Sequence, residues 1–247
     1  NQPAATRAEI STTVAALEKA AKDPKDRYAK GARAKQKKLL TEFETNRSKW
    51  DLIILQSYRD DLKGDESSYM QYAPKYAELA KAQGARVILY VTTPTTQNEK
   101  PLTSAPDKAP ILEKSRSVAK LTDSIGAAAA PMALVAHRCQ TQRPDFTLRF
   151  INDAHLNKTL AYLTACTLYA AIFDKSPEGL PIDSITDIRF FEDDKTKDRD
   201  GQPITQKFSE KDCADLQRIA KPPRGRHLRE TTGPRRQRFG LLLQLLG

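Results

Sequence analysis

The 247-residue sequence predicts an α/β fold of three layers, α/β/α, with helices on both faces of a mainly parallel sheet. The first observation is a pair of short apolar runs, Leu52-Ile53-Ile54-Leu55 and Val87-Ile88-Leu89-Tyr90-Val91, each bounded by polar residues as buried parallel strands are. The second is that each run follows a longer stretch whose apolar residues recur at helical spacing. Sheets of this kind bind ligands beyond the carboxyl ends of their strands. Those ends are Gln56-Ser57-Tyr58 and Thr92-Thr93-Pro94.

Ala5 to Ala21 carries Ile10, Val14, Leu17 and Ala20 at helical spacing. Ala32 to Thr45 continues with Leu39, Leu40 and Phe43 under a basic face, and both stretches are expected as helices on one side of the sheet. Trp50 to Gln56 is the next strand. Ser67 to Gln83 supplies Met70, Tyr72, Tyr76 and Leu79 to a helix that Gly84 ends as the C′ residue, and Arg86 to Val91 is the following strand. Thr95 to Pro110, polar and punctuated by proline, is expected as a long surface loop over the strand ends. Lys114 to Ile125 reads as helix, Ala127 to Val135 as a short apolar segment approaching His137, and Lys158 to Phe173 as an amphipathic helix. Beyond Pro181 the character changes. Ile185 to Phe191 can form an edge strand or hairpin arm, and Glu192 to Gly201 is a charged turn. Ser209, with Asp212 three residues on, caps a helix to Ala220. Asp198-Arg199-Asp200-Gly201 matches the middle of a calcium loop, yet no Glu closes it, so a solvated turn is expected there.

The net charge of +10 suggests nucleic acid until its distribution is considered. From Lys221 to Gly247 seven basic residues face Glu230 alone, so six of the ten charges lie in this tail. The mild, mixed charge of the remainder, without interleaved aromatic and basic residues, argues against nucleic-acid binding. No run approaches the ~18 apolar residues that span a bilayer. The tail ends in Leu241-Leu242-Leu243-Gln244-Leu245-Leu246, too short an apolar stretch to anchor a protein alone, and residues 221–247 are expected to be disordered or non-native. Asn1-Gln2-Pro3 begins without Met or an export signal, so a processed or truncated start is expected. Cys139, Cys166 and Cys213 are odd in number and lack metal-like spacing, which implies neither a disulfide framework nor a zinc site.

The most informative stretch is Asn152-Asp153-Ala154-His155-Leu156-Asn157, which sets one of three histidines beside a carboxylate on a loop feeding a helix. The helix contains Tyr162-Leu163-Thr164-Ala165-Cys166, and Ser176-Pro177-Glu178-Gly179 follows it. This order resembles the last motif block of the SGNH/GDSL-type hydrolase family, in which an Asp-x-x-His loop precedes a Tyr-Leu-x-Ala-Cys helix and a Ser-Pro-x-Gly turn. The resemblance spans roughly Lys49 to Pro181, within an expected domain of residues 1–220, and it implies a flavodoxin-like strand order. It also implies His155 as general base, oriented by Asp153 or by Asn152, which stands where the family acid commonly lies. Gln56 is implied as an oxyanion donor, with Ser57 beside it at the strand end as a substrate contact or, less in keeping with the family, a nucleophile. His137 and His227 are weaker candidates.

The family's Gly-Asp/Asn-Ser nucleophile motif does not occur in this sequence, and Ser11 and Ser48 lack a preceding apolar strand. Two readings therefore stand. In the first, the chain is a serine esterase domain, its first strand lost with the nucleophile, acting on a small-molecule or carbohydrate ester, with an O-acyl group as the family's substrate class. In the second, it is a noncatalytic carbohydrate- or partner-binding module on the same fold. Neither implies a metal or cofactor. The resemblance further implies a secreted or periplasmic setting, and leaves the oligomeric state open.

Overall fold

The computed structural model describes residues 4–23, 25, 29–45, 50–57, 67–91, 97–151, 153–189 and 194–221. The chain divides into two compact units, Asn1–Lys49 and Trp50–Gly247. In the first, helices α1 (Ala4–Lys22) and α2 (Ala29–Thr45) pack on each other. Ala21 and Ala32 are buried, and the Arg33 guanidinium donates to the Ala21 carbonyl at 3.1 Å, satisfying an end-of-helix acceptor.

The second unit is mixed α/β, built on a parallel sheet of three strands: β1 (Leu52–Gln56), β2 (Arg86–Tyr90) and β3 (Ala128–Ala130), side by side in that order. Register pairs Leu52 with Arg86 and Gln56 with Tyr90, and on the other side of β2 it pairs Tyr90 with Ala130. Parallel neighbours need a crossover, and α3 (Ser68–Ala82) and α4 (Ala109–Ile125) supply the two.

The period of two along each strand sorts side chains to opposite faces. Ile53, Leu55, Val87, Leu89 and Ala129 pack with Ala73, Ala77 and Ala80 of α3 and with Val118 and Leu121 of α4. Leu52, Ile54, Ile88 and Ala130 turn the other way, onto Leu168, Ala171 and Ile172 of α6 (Lys158–Phe173). The alanine stripe of α3 permits a close approach to the strands. The other side of α6, with Leu160, Leu163 and Cys166, joins a second core with α5 (Met132–Gln142), Leu148 and α7 (Glu210–Ala220). Helix α6 therefore serves two cores and is apolar nearly all round, as a central helix must be. A short antiparallel pair, β4 (Ser184–Thr186) and β5 (Thr205–Lys207), precedes α7. Among the described residues no helix is long and apolar enough to cross a membrane.

The element ends have local causes. Ser67 accepts from the Met70 amide at 3.2 Å and Ser209 from the Asp212 amide at 3.1 Å, each replacing a missing intrahelical partner. Gly84 (φ 86°) and Gly126 (φ 58°) turn the chain out of α3 and α4 in the left-handed region.

Three segments differ from the sequence reading. Helix α4 starts at Ala109, five residues before Lys114, because Pro110 sits in its first turn, where a missing N–H costs no hydrogen bond. The apolar segment from Ala127 divides at Pro131 into β3 and α5, which puts His137 on a helix. The strand expected from Ile185 to Phe191 pairs only over Ser184–Thr186, and Phe190 and Phe191 lie outside the described residues. Tyr58, Thr92-Thr93-Pro94 and residues 222–247 of the tail lie outside them too.

Candidate functional site

The direction of α6 positions the histidine loop. Arg86, at the start of β2, donates to the Ile172 carbonyl at 2.9 Å near the end of α6. Tyr90, at the end of β2, has its hydroxyl beside Thr164, nearer the start of α6. Helix α6 thus runs opposite to β2, and the loop ahead of it lies toward the carboxyl ends of the strands. Burial raises the Tyr90 hydroxyl pKa, so this ring is a neutral floor under that edge.

Asn157 fixes the junction between loop and helix. Its side-chain oxygen accepts from the Leu160 amide at 3.1 Å, and its amide donates to the Thr147 carbonyl and hydroxyl, both at 2.9 Å. A one-residue bridge between Arg149 and Leu156, with the Phe150 amide donating to the His155 carbonyl at 3.2 Å, closes the loop into a tight excursion. Asp153 sits inside it. Its Oδ1 accepts from the His155 amide at 2.8 Å, an Asx-type turn, and also faces His155 Nδ1. The His155 side chain is 64% exposed. The Asp153 carboxylate stands at the ring, and Asn152 lies outside the described residues.

Asp198, Arg199 and Asp200, expected as a solvated turn, complete the arrangement instead. Asp198 is 2% exposed and forms a buried ion pair with Lys158 at the start of α6. Its Oδ1 accepts from the amides of Asp200 and Gln202 at 3.0 and 2.9 Å. Arg199 pairs with Asp153 Oδ2, and its Nη1 lies 3.2 Å from His155 Nδ1. Asp200 accepts the Ile151 amide at 3.0 and 2.9 Å on its two oxygens. Three successive side chains therefore grip three points of the histidine loop. The sequence shows the alternating Asp-Arg-Asp charges but carries no sign of their partners 40 to 49 residues away.

The strand-end candidates are placed less openly. Gln56 is half-buried opposite Tyr90 in register, and the Ser57 amide donates to the Tyr90 carbonyl at 3.1 Å. Ser57 is 1% exposed, which removes it from solvent as a nucleophile. The His155 ring contacts Asp153 and Arg199. His137 is buried on α5 with Nε2 3.1 Å from the Pro106 carbonyl, a contact that pins the long loop. The same loop is held by Asn98, whose side-chain amide donates to the Phe146 carbonyl at 2.8 Å, and by the Glu99–Arg149 ion pair at 2.6 Å. His227 is outside the described residues. Among the described residues no group of three or more His, Cys, Asp or Glu side chains is arranged to hold a metal.

No protein-family model, no curated protein and no solved structure matches the chain.

Proposed function

We propose that the chain is an ester hydrolase domain of the SGNH/GDSL type, in which His155 is the general base and Asp153 its orienting acid. One observation carries this reading: the Asp153 carboxylate lies at Nδ1 of a ring that is 64% exposed. A hydrogen bond from Nδ1–H to that carboxylate leaves Nε2 as the lone-pair nitrogen, the state in which imidazole accepts a proton from a nucleophile. Gln56, at a strand end on the same side of the sheet, is the proposed oxyanion donor. An O-acyl group on a carbohydrate is the substrate class that the resemblance implies.

Release of acetate from a chromogenic acetyl ester and from O-acetylated oligosaccharides tests the proposal. Hydrolysis that appears once the chain is supplied with the family's Gly-Asp-Ser strand, and that then falls about 10²–10⁴-fold in His155→Ala, supports it. Hydrolysis unchanged in His155→Ala, or absent altogether, overturns it.

A second reading is a noncatalytic carbohydrate-binding module. It is favoured by the burial of Ser57 and by the Arg199 cation beside a ring that must take up a proton to act as a general base. Calorimetric titration with the same oligosaccharides separates the two: saturable binding without turnover supports the module.

A further inference from the structure

We infer that Arg199 is a positioning residue that locks Asp153 onto His155 and thereby selects the Nδ1–H tautomer of the ring, with the Asp198–Asp200 turn as its carrier. The inference deepens the hydrolase reading and rests on it for its functional meaning, but its geometry stands without it.

The side-chain torsion that turns a carboxylate is broad and roughly two-fold, so an Asp on an exposed loop ordinarily presents either oxygen. At Asp153 the two oxygens have separate tasks. Oδ1 receives the His155 amide at 2.8 Å and faces Nδ1, while Oδ2 is taken by Arg199. Arg199 is kept in register with Asp153 because its neighbours are tied to the two ends of the same loop. Asp198 is anchored by the buried Lys158, and Asp200 by the Ile151 amide. Arg199 is thus held from a rigid turn.

His155 Nδ1 has two neighbours of opposite kind: an acceptor, Asp153 Oδ1, and a donor, Arg199 Nη1 at 3.2 Å. These are incompatible demands on one nitrogen. If Nδ1 carries the proton it donates to Asp153, and Nε2 is free to act as a base. If Nδ1 is bare it accepts from Arg199, Nε2 carries the proton, and the outward nitrogen is useless as a base. The carboxylate wins because Arg199 is already satisfied by Oδ2 in a charge-assisted contact, whereas Oδ1 serves the loop amide and has capacity for a second donor. Arg199 therefore favours the base-competent tautomer by holding Asp153, although as a nearby donor it could stabilise the other.

The experiment reads the tautomer directly. Long-range ¹H–¹⁵N spectra of the full chain at alkaline pH distinguish a protonated from a bare ring nitrogen, with His137 and His227 as internal references. The expected wild-type signal of His155 is Nδ1–H. Asp153→Asn should abolish that preference, Arg199→Gln should convert it to a mixture, and Arg199→Lys, which keeps charge but not the fork, should restore part of it. An Nε2–H signal in the wild type, or an Nδ1–H signal unchanged in Arg199→Gln, overturns the inference. Asp198→Asn provides the second variant: it should loosen the turn and give the same mixture while Arg199 is intact. The failure of ester hydrolysis would overturn the hydrolase reading and leave these spectra as they are.

Discussion

Lys158 and Asp198 form an ion pair whose side chains are only 6% and 3% exposed, and it joins the first turn of α6 to a turn 40 residues later. A pair this dry is retained only with further hydrogen bonds, and Asp198 has them from the amides of Asp200 and Gln202.

Removing one partner should leave an uncompensated buried charge. Lys158→Met or Asp198→Ala is expected to cost about 3–5 kcal/mol, with the double variant less than additive. Urea unfolding of the three variants measures this. Additive losses near 0.5 kcal/mol each would show that the pair is solvated.

Asn157 combines a helix cap with a loop clamp, and the two roles can be separated. Asn157→Asp keeps the acceptor for the Leu160 amide but loses the donors to Thr147, so it should cost less than Asn157→Ala. The alanine variant should lose about 1–2 kcal/mol from the cap and a further ~1 kcal/mol from the clamp. Equal losses in thermal melts would assign all of the effect to one role.

Core and surface apolar residues should respond very unequally to truncation. Leu163 of α6 is fully buried in the core it shares with α5 and α7, whereas Ile188 is 87% exposed. Leu163→Ala should cost about 2–5 kcal/mol. Ile188→Ala should stay within about 0.5 kcal/mol. A large loss at Ile188 in unfolding experiments would mean that it is covered in solution.

Acid should weaken the contact between α5 and α7. Arg143 reaches Asp145 at 2.7 Å, Asp212 at 2.8 Å and Asp215 at 2.9 Å. The Asp145 carboxyl is held below its ordinary range chiefly by the Arg143 hydrogen bond. Burial pushes Asp212 up, but its bonds to Arg143 and Ser209 outweigh that. Asp215 is held well below the usual range by Lys211 first and then Arg218. Folded-state values below unfolded ones mean that the unfolded chain binds more protons as pH falls. The stabilisation is therefore complete above the unfolded carboxylate value of about 3.9 and is lost as pH drops through the folded ones. Melting temperatures from pH 7 to pH 2 should fall less steeply in Arg143→Met than in the wild type. Parallel curves would show that Arg143 does not set these carboxylates.

The thiols should differ in reactivity. Burial pushes Cys139 and Cys166 up to about 12, whereas Cys213 is only partly buried. Thiol titration of the native chain should show one faster group, removed by Cys213→Ser, and all three only after unfolding. Three equal rates would contradict the packing of the helical core.

The sequence by itself determined what depends on neighbours in the chain. The continuous apolar runs Leu52-Ile53-Ile54-Leu55 and Val87-Ile88-Leu89 read as strand because a parallel strand buried on both faces needs an apolar side chain at every position. Ser67, Gly84 and Ser209 mark helix ends because their own backbone and side-chain chemistry suits those positions. The pairing of His155 with Asp153 is likewise local, two residues apart and closed by a turn. The tertiary structure alone decided the rest. It split the apolar stretch at Pro131 into strand and helix, since either conformation suits a short run of small residues and packing chooses between them. It buried Ser57, which the sequence placed at an open strand end. Above all it brought Asp198, Arg199 and Asp200 to Lys158, Asp153 and Ile151. A charged turn has the same local pattern whether it faces water or another loop, and only the folded positions of α6 and the β4–β5 segment supply the partners that desolvate it.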